Sequence, residues 1–387
     1  MNKLDMTQAQ PETTIPILTT SREVAQLAQD LRQLSVFAVD MEADSMHSFQ
    51  EKVCLIQFTY HSNTEHTVLL DPLAGADLAP LLPVLADPKI RKIFHAADYD
   101  VRCLYRDCNI EIRGLFDTMI ASQLLGTERV GLADVLNKYF SITLDKKYQR
   151  ADWSKRPLPL PMCEYAAEDT RYLHQLALIL EKELQEKDRL WWAQEEFELL
   201  EAARFQVKQG PAFLYFKGAG ALTPRGLAVL EALLSWRDGE AQRRNCPPYK
   251  VLGNKTLLSL AHICPSSLDE LNQVDDFAPR LIERYGRACL NALQPALQID
   301  ASELPSFPRT ERLKRDAAVD NRLNKLKRWR QAKASKLELD AGILINNAIL
   351  ESIARHTPKN AEQLAHISGI KSWQQRVLGT EILATIA

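Results

Sequence analysis

The C-terminal half of the chain contains an internal repeat, and this repeat restricts the possible folds more than any other feature of the sequence. Two segments match without a gap at a constant offset of 93 residues, the distance from Trp236 to Trp329. The other matched pairs are Leu230 with Leu323, Leu233 with Leu326, Arg237 with Arg330, Ala241 with Ala334, Asn254 with Asn347, Leu257 with Leu350, Ala261 with Ala354, Pro265 with Pro358 and Leu271 with Leu364. The repeat predicts two copies of one small helical domain. Two copies are too few for a solenoid, so we expect tandem compact bundles.

The residues before the repeat have a different pattern, in which short β-rich runs come first and helical segments follow. Runs at 36–40, 53–60 and 67–71 predict strands, and RKIFHAA at 91–97 predicts a fourth strand that leads into a helix. The helices predicted after them are 116–126 with Asp117 as its N-cap, 131–140, and a long helix over 162–189. This order predicts an α/β domain with a mixed sheet and flanking helices.

The length of 387 residues suggests two or three domains and allows a sizeable core. With only 14 glycines, the composition favours helix over an all-β chain. The expected organisation is a disordered tail over 1–16, the α/β domain over 17–205, a linker over 206–222, the first helical copy over 223–300, a linker over 301–318 and the second copy over 319–387.

Cysteine usage and hydropathy both indicate a cytoplasmic protein. The seven cysteines contain no CxxC pair, which argues against a disulfide framework and against a zinc site and fits a reducing compartment. The first residues are polar and lack the apolar region of a signal peptide, and no apolar run approaches the roughly 18 residues of a membrane span. We therefore expect no association with a membrane.

Residues 36–44 read VFAVDMEAD, so a buried strand runs directly into three carboxylates at alternate positions. An extended chain would point Asp40, Glu42 and Asp44 to the same side. Like charges this close raise each other's pKa unless a cation neutralises them. In isolation the stretch is better explained as a solvated strand end than as half of a metal site, which needs further carboxylates from elsewhere in the chain.

Two later motifs supply such carboxylates. HAADYDVRCL contains Asp98 and Asp100 near the start of a predicted helix, and YAAEDTRYL places Tyr165 and Asp169 four residues apart on one helix face. Alone, each motif is explained as well by a helix cap or by surface residues. Together they form an ordered set: Asp-x-Glu at a strand end, Asp at a helix start, and Tyr-x-x-x-Asp on a late helix.

In these motifs and their order, residues 20–205 resemble the DEDD superfamily of 3′–5′ exonucleases, in its tyrosine-bearing branch, and within it the ribonuclease D family. The resemblance is carried by VDMEAD, VCLIQF, IFHAADYDVRCL, LFDTMIASQLLG, GLADVLNKYF, DWSKRPL and YAAEDTRYL. The two helical copies resemble HRDC domains, the helicase-and-RNase-D C-terminal module, including WRDGEAQRRNCPPYKVLGNKTLLSLA. The resemblance implies a ribonuclease H-like mixed sheet followed by two all-α HRDC domains.

The resemblance also implies five catalytic residues, which are Asp40, Glu42, Asp100, Tyr165 and Asp169. Asp98 is a neighbouring alternative to Asp100, which is favoured because it keeps the family spacing to the hydrophobic pair that follows it. Met41 stands where the family has Thr or another small residue, and we expect it to face away from the ligands. Asp44 is left out of the site and is expected to cap the following turn or to face solvent.

Four carboxylates without a His/Cys cluster favour Mg²⁺ or Mn²⁺ over Zn²⁺. By the resemblance, two ions would be bound: Asp40 would bridge both, Glu42 and Asp169 would complete one, and Asp100 would hold the other. Tyr165 would orient the attacking water, because an ordinary tyrosine pKa of about 10 makes it a poor base. Glu42 would also hydrogen-bond the terminal 3′ hydroxyl of the substrate.

The implied function is a metal-dependent 3′–5′ exoribonuclease that releases nucleoside 5′-monophosphates. Its partner would be RNA with a free 3′ end, such as a tRNA precursor, and a monomeric protein is favoured. A 3′–5′ DNA exonuclease is an alternative, because the motifs determine the reaction and not the sugar. A non-catalytic RNA-binding module is a second alternative, but the presence of all four carboxylates and the tyrosine argues against it.

Five further residues near the motifs are expected to support the fold. His95 is expected to be a packed strand-end histidine and not a ligand. Phe58 and Tyr60 are better explained as core residues than as a platform for terminal bases. Lys155 and Arg156 are somewhat better explained by a structural loop than by contact with the substrate backbone.

One segment of the C-terminal half has a strong local charge. The residues from 309 to 336 include 11 Lys or Arg and three acids, a net charge of +8. A solvated helix face and a phosphate-contacting surface explain this segment equally well.

Overall fold

The computed structural model describes residues 15–206, 208–308 and 316–387. Most of the tail expected to be disordered, residues 1–14, and the first part of the basic segment, residues 309–315, lie outside the described residues. Among the described residues, no helix has both the length and the apolar character that crossing a membrane requires.

The described residues form two compact units. Unit 1 contains the described residues up to Ala43 together with Val53–Phe205 and Ala317–Ala387. Unit 2 contains Asp44–Lys52 and the described residues of Gln206–Asp316. The two helical copies therefore belong to different units.

Unit 1 is built on a mixed sheet with six strands among the described residues. These are β1 (Ile17–Leu18), β2 (Val36–Ala43), β3 (Val53–His61), β4 (Glu65–Leu70), β5 (Arg91–Phe94) and β6 (Leu115–Asp117), in the order β1-β4-β3-β2-β5-β6. Strand β3 is antiparallel to β2 and β4, and the other neighbours are parallel. The predicted α/β fold with a mixed sheet is confirmed.

Helices cover both faces of this sheet and bury its apolar residues. They are α1 (Ser21–Arg32), α2 (Leu82–Leu85), α3 (Asp98–Cys108), α4 (Thr118–Leu124), α5 (Leu132–Phe140), α6 (Leu160–Arg171), α7 (Leu173–Glu186) and α8 (Leu190–Glu201). The helix predicted for 116–126 begins two residues later than expected, because Leu115–Asp117 pair with β5 as a strand. Asp117 is its N-cap, as predicted, and accepts hydrogen bonds from the backbone N–H groups of Met119 and Ile120.

The single long helix predicted for 162–189 is wrong, because the chain forms α6 and α7 with a break at Tyr172 and starts α8 after Arg189. Near the first break, the Thr170 hydroxyl lies 3.3 Å from the Ala167 carbonyl and 2.7 Å from the Thr59 hydroxyl on β3. A threonine that bonds to its own helix backbone bends the helix, and the bond to β3 holds α6 against the sheet.

The two helical copies have matching elements, as the repeat predicts. The first copy consists of α9 (Pro224–Arg243), α10 (Asn254–Ile263), α11 (Leu268–Asn272) and α12 (Pro279–Gln298). The second consists of α13 (Ala317–Leu337), α14 (Ala341–Leu344), α15 (Asn347–His356), α16 (Ala361–Ala365) and α17 (Ser372–Ile386). Helices α10 and α15, and likewise α11 and α16, begin and end at positions that differ by 93 residues.

The second copy packs against the α/β part of unit 1. The Trp373 ring on α17 stacks on the Trp192 ring on α8, with 4.7 Å between centroids and 8° between planes. The Arg189 side chain donates to the Leu124 carbonyl at 2.7 Å and to the Leu337 carbonyl at 2.6 Å, which ties the ends of α4 and α13 together. Gly126 has a φ of +83°, and a Cβ there would lie 2.0 Å from the Glu338 carbonyl oxygen, so only glycine fits.

Candidate active site

Strand β2 presents two of the predicted carboxylates on one face of the sheet. Side chains alternate along a strand, so Asp40 and Glu42 point to the side opposite Met41. Met41 is buried in the core, as expected from the sequence. The pairing of β2 with β3 shifts register between Glu42 and Ala43, so the alternation of side chains is interrupted directly after Glu42.

Helix α6 brings Tyr165 and Asp169 to the same face of the sheet. Ala166 and Ala167 are fully buried between the helix and the strands, and their small side chains allow the helix to lie close to the sheet. Carboxylate oxygen atoms of Asp40, Glu42 and Asp169 all lie within 4.8 Å of one another, and all three residues are partly exposed. The tertiary fold thus joins two motifs that are more than 120 residues apart in the chain.

Asp100 lies in the first turn of α3 and is buried, whereas Asp98 is 61% exposed and pairs with Arg102 at 2.8 Å. Asp117 accepts hydrogen bonds from the backbone N–H groups of Ala96 and Ala97, which orders the turn that leads into α3. Asp100 is not part of the cluster of three within 4.8 Å, but its charge acts on Glu42 and is acted on by Asp40. The geometry therefore favours Asp100 over Asp98 as the site carboxylate.

The pKa values of all four carboxyls are raised, with removal from water as the largest cause. Burial raises the pKa of Asp40 to about 7. Burial and the charge of Asp40 raise the pKa of Asp169 to about 8. The pKa of Glu42 is raised well above its ordinary value by burial and by the charges of Asp40, Asp169 and Asp100, and that of Asp100 by burial and by Asp40. Without a cation, the cluster therefore retains protons near neutral pH.

Tyr165 is held by two other aromatic rings beside the carboxylates. The Tyr148 ring meets it edge-on at a centroid distance of 5.9 Å, and the buried Trp153 ring lies at 6.1 Å. Burial and the charges of Asp169, Glu42 and Asp40 raise the pKa of the Tyr165 hydroxyl further above its ordinary value. The hydroxyl is therefore protonated at neutral pH and can donate a hydrogen bond.

Gln57 is a site residue that the motif argument missed. It lies directly opposite Asp40 in the antiparallel β2–β3 pair, so the two side chains share one face. The residue is fully buried, and neither its amide nitrogen nor its amide oxygen has a hydrogen-bond partner among the described residues. A buried amide without partners costs several kcal/mol. The signal in the sequence is the polar Gln57 inside the otherwise apolar run VCLIQF.

A hard divalent cation fits this set of groups. Clustered carboxylate oxygens are the ligands that Mg²⁺ and Mn²⁺ prefer, and a cation would remove the repulsion that raises the four pKa values. Its hydration water would also provide the partners that the Gln57 amide lacks. A bound cation would therefore complement both the carboxylates and the Gln57 amide.

Comparisons with known proteins identify the two kinds of domain in the chain. A family model described as 3′–5′ exonuclease matches residues 15–185, and one described as HRDC domain matches residues 226–293 and 320–386. Ribonuclease D of Pseudomonas paraeruginosa is 28% identical over 376 residues, which cover 96% of this chain and 98% of that protein. The chain belongs to the ribonuclease D family.

Solved structures support the same assignment. The structure of Escherichia coli RNase D, described as an exoribonuclease involved in structured RNA processing, matches with a TM-score of 0.73 and 26% identity and covers 96% of this chain and 98% of that chain. A protein from Bifidobacterium adolescentis matches with a TM-score of 0.81 at 24% identity over 96% of this chain and 97% of its own, which shows the fold. Exonucleases of the superfamily that includes the ribonuclease D family depend on divalent metal ions.

Asp44, the third carboxylate of the VFAVDMEAD stretch, lies outside the cluster and supports the local fold. It is fully buried and belongs to unit 2, where its side chain accepts hydrogen bonds from the Lys52 N–H at 2.8 Å and from the Ser48 hydroxyl. The prediction that it caps the following turn is confirmed, and the alternative that it faces solvent is wrong. Because the strand pairing shifts register after Glu42, the Asp44 side chain does not continue the row formed by Asp40 and Glu42.

Four of the five residues expected to support the fold do so, and the structural role of Lys155 stays a prediction. Phe58 and Tyr60 are buried in the main core, and the His95 Nδ1 atom shares a hydrogen bond with the Thr118 hydroxyl at 2.9 Å. The Arg156 guanidinium donates to both carboxylate oxygens of the buried Asp71 and to the backbone carbonyl of Cys54, which fits a structural loop. Lys155 is 78% exposed and lies 3.7 Å from Asp152.

Proposed function

We propose that this protein hydrolyses RNA one nucleotide at a time from the 3′ end, releasing nucleoside 5′-monophosphates in a reaction that needs two divalent ions, Mg²⁺ or Mn²⁺. The observation that carries the proposal is the cluster of Asp40, Glu42 and Asp169 beside the protonated Tyr165. Its oxygen ligands, its raised pKa values and its membership of the ribonuclease D family all support the same chemistry.

Asp40, Glu42, Asp100 and Asp169 would hold the ions. When bound, divalent ions neutralise these carboxylates and stabilise the negative charge that develops on the attacked phosphoryl group and on the leaving 3′ oxygen. Asp40 lies on a central strand of the sheet and pairs with Gln57 of β3, which limits the movement of its backbone. Such rigidity limits the reorganisation that charge stabilisation would otherwise require.

The other side chains of the site would position the reactants. The Tyr165 hydroxyl retains its proton and would donate a hydrogen bond that orients the attacking water, while the Tyr148 and Trp153 rings hold the phenol in place. Glu42 would accept a hydrogen bond from the terminal 3′ hydroxyl, as the family resemblance implies. That contact would explain why a free 3′ end is required.

The physiological substrate that we propose is a structured RNA such as a tRNA precursor. This proposal is supported by the similarity to the Escherichia coli enzyme, which is described as acting in structured RNA processing. We further propose that the protein acts in the cytoplasm as a monomer, as the sequence predicts. DNA with a free 3′ end is the competing substrate.

A time course with 5′-labelled oligonucleotides tests the function. A tRNA precursor, an unstructured RNA and a DNA of matched sequence are incubated with Mg²⁺, with Mn²⁺ or with chelator. We expect stepwise shortening of both RNAs from the 3′ end, release of 5′-monophosphates, and no reaction with chelator. Faster shortening of DNA than of RNA would instead identify a DNA exonuclease, and no shortening of any substrate would identify a binding module.

Exchange of Tyr165 for Phe tests the role of the hydroxyl. The Tyr165→Phe protein loses one positioned hydrogen bond, so we expect the rate constant of hydrolysis to fall by about 10- to 1000-fold. Divalent-ion affinity, measured by calorimetry, is expected to stay unchanged because the carboxylates are intact. Loss of ion affinity would show that Tyr165 shapes the carboxylate cluster instead of orienting water.

A further inference from the structure

Helix α13 of the second copy carries an unbroken run of positive charge. Between Asn321 and Leu337 the helix contains seven Lys or Arg residues and no Asp or Glu. The structure divides these seven into two groups with different environments.

Three of the basic side chains hold the second copy together. The Arg322 Nε atom donates to the Ala354 carbonyl at 2.8 Å, and the Arg330 Nη1 atom donates to the Ile345 carbonyl at 2.8 Å. Lys333 pairs with the carboxylate of Glu381 on α17. These three side chains, all partly exposed, are therefore engaged in contacts within the second copy.

The other four basic side chains, Lys325, Lys327, Arg328 and Lys336, lie on the exposed face of the helix. The part of the chain that the structure describes offers Lys325, Lys327 and Arg328 no acidic partner within ion-pair distance. From Lys325 to Lys336 the face extends about 16 Å along the helix axis, at 1.5 Å per residue. Its remaining exposed side chains are neutral, among them Asn324, Gln331 and Ser335.

The first copy serves as an internal control for this charge. At the offset of 93 residues, the four exposed basic positions correspond to Ala232, Leu234, Ser235 and Arg243, of which Leu234 is buried in the core of the first copy. Helix α9 thus has one basic residue where α13 has four, and it exposes Asp238 as well. Because the same helical domain folds without these charges, the fold of the copy does not require them.

We propose that this exposed face of α13 binds the phosphate backbone of the RNA substrate. The proposal rests on the proposed exoribonuclease function and assigns RNA contact to the second copy, which belongs to the same unit as the catalytic cluster. Lys and Arg side chains on a helix contact phosphates without reading the bases, so the contact is independent of RNA sequence and depends on salt.

A binding experiment tests the proposal independently of catalysis. The Asp40→Asn protein is titrated onto a fluorescent single-stranded 20-nucleotide RNA, with and without the added changes Lys325→Gln, Lys327→Gln and Arg328→Gln. We expect the triple change to raise the dissociation constant on the order of tenfold at 50 mM salt. The slope of log affinity against log salt should become smaller by about 2, since each single-strand phosphate contact contributes about 0.7.

Three arginines of the first copy provide the charge-matched control. Arg280, Arg284 and Arg287 are exposed on α12, but Glu283 lies among them on the exposed surface. Changing all three to Gln removes the same charge and is expected to alter the dissociation constant by no more than about twofold. Circular dichroism melts verify that both triple variants are folded.

Two results would overturn the proposal. Equal losses of affinity in the two triple variants would mean that RNA senses only net charge. Unchanged affinity in the α13 variant would assign this face to another partner, such as an acidic protein. In either case the RNA time course of the protein with Asp40 intact still reports on the exoribonuclease function, so the two failures are distinguishable.

Discussion

The two helical copies share their interior and differ on their surface. In each copy the arginine next to the repeated tryptophan donates to a backbone carbonyl at an equivalent position, Arg237 to Leu252 at 3.2 Å and Arg330 to Ile345 at 2.8 Å. The final helices differ more. In α17, Trp373 stacks on Trp192, but the equivalent position in α12 is the exposed Arg280.

This difference explains why one repeat contributes to two compact units. The second copy covers α8 with an indole ring and adds a charged pair, in which the Lys371 ammonium lies 2.6 Å from the Glu196 carboxylate. The position in the first copy that corresponds to Lys371 is Ala278. The shared interior contacts give both copies the same fold. A few residues on the outside of each copy decide which part of the protein it packs against.

The largest expected effect is a loss of RNA hydrolysis from a change in the carboxylate cluster, with both helical copies left unchanged. The Asp40→Asn change leaves the two helical domains intact but removes a charge that holds the divalent ions, so we expect RNA hydrolysis to fall at least about 10³-fold. The measurement is single-turnover cleavage of 5′-labelled RNA. Asp98→Asn, at the exposed neighbour of Asp100, is the matched control and should retain activity within about twofold. Substantial hydrolysis by the Asp40→Asn protein would contradict the proposed site.

The next effect tests the packing of the second copy. The Trp373→Ala change removes the ring that stacks on Trp192, so we expect the free energy of unfolding of unit 1 to fall by about 3–5 kcal/mol. Arg280→Ala at the equivalent exposed position should change the free energy of unfolding of unit 2 by less than about 0.5 kcal/mol. Hydrogen exchange resolved by peptide measures both units in one experiment. Similar losses in the free energy of unfolding for Trp373→Ala and Arg280→Ala would contradict the proposed difference in packing between the two copies.

Divalent ions are expected to stabilise unit 1 and not unit 2. At 100 times the dissociation constant, a bound ion adds about 2.7 kcal/mol to the free energy of unfolding. The folded-state pKa values of Asp40 and Asp169 lie at about 7 and about 8, above their ordinary values. Without ions, the stability of unit 1 should therefore fall as the pH rises from 5 to 8, because the folded cluster loses protons that the unfolded chain has already released.

Ion stabilisation should have the opposite dependence on pH. It should be largest at pH 8 and smallest at pH 5, where protons compete for the same carboxylates. Calorimetric scans with Mg²⁺ and with chelator at the two pH values measure both trends. An ion-induced shift in the transition of unit 2, or a larger shift at pH 5 than at pH 8, would speak against the cluster as the binding site.

The smallest effect tests what the copies have in common. Because Arg237 and Arg330 make the same backbone hydrogen bond, changing either to Ala should cost about 1–3 kcal/mol, each in its own unit. Chemical denaturation followed by peptide-resolved hydrogen exchange assigns each loss. If only one of the two changes lowered the free energy of unfolding, the two arginines would have different roles despite their equivalent positions.

Much of the site follows from local spacing in the sequence. Asp40 and Glu42 alternate on a strand, and Tyr165 and Asp169 share a helix face, so short-range periodicity predicts which side chains point together. The error at 162–189 arose because apolar periodicity continues through Tyr172, while the bond between Thr170 and Thr59, which accompanies the break, joins residues far apart in the chain.

By itself, the sequence determined the α/β domain by local periodicity and the pair of helical copies by its internal repeat, and the motif residues followed from their resemblance to a known family. Only the tertiary structure decided three other features: that Gln57 faces Asp40 without a partner, that a register shift removes Asp44 from the row of carboxylates, and that the second copy belongs with the catalytic unit. The physical reason is the same for all three. Strand register, burial of a polar amide and the stacking of Trp373 on Trp192 depend on contacts between residues distant in the chain, which no local pattern encodes.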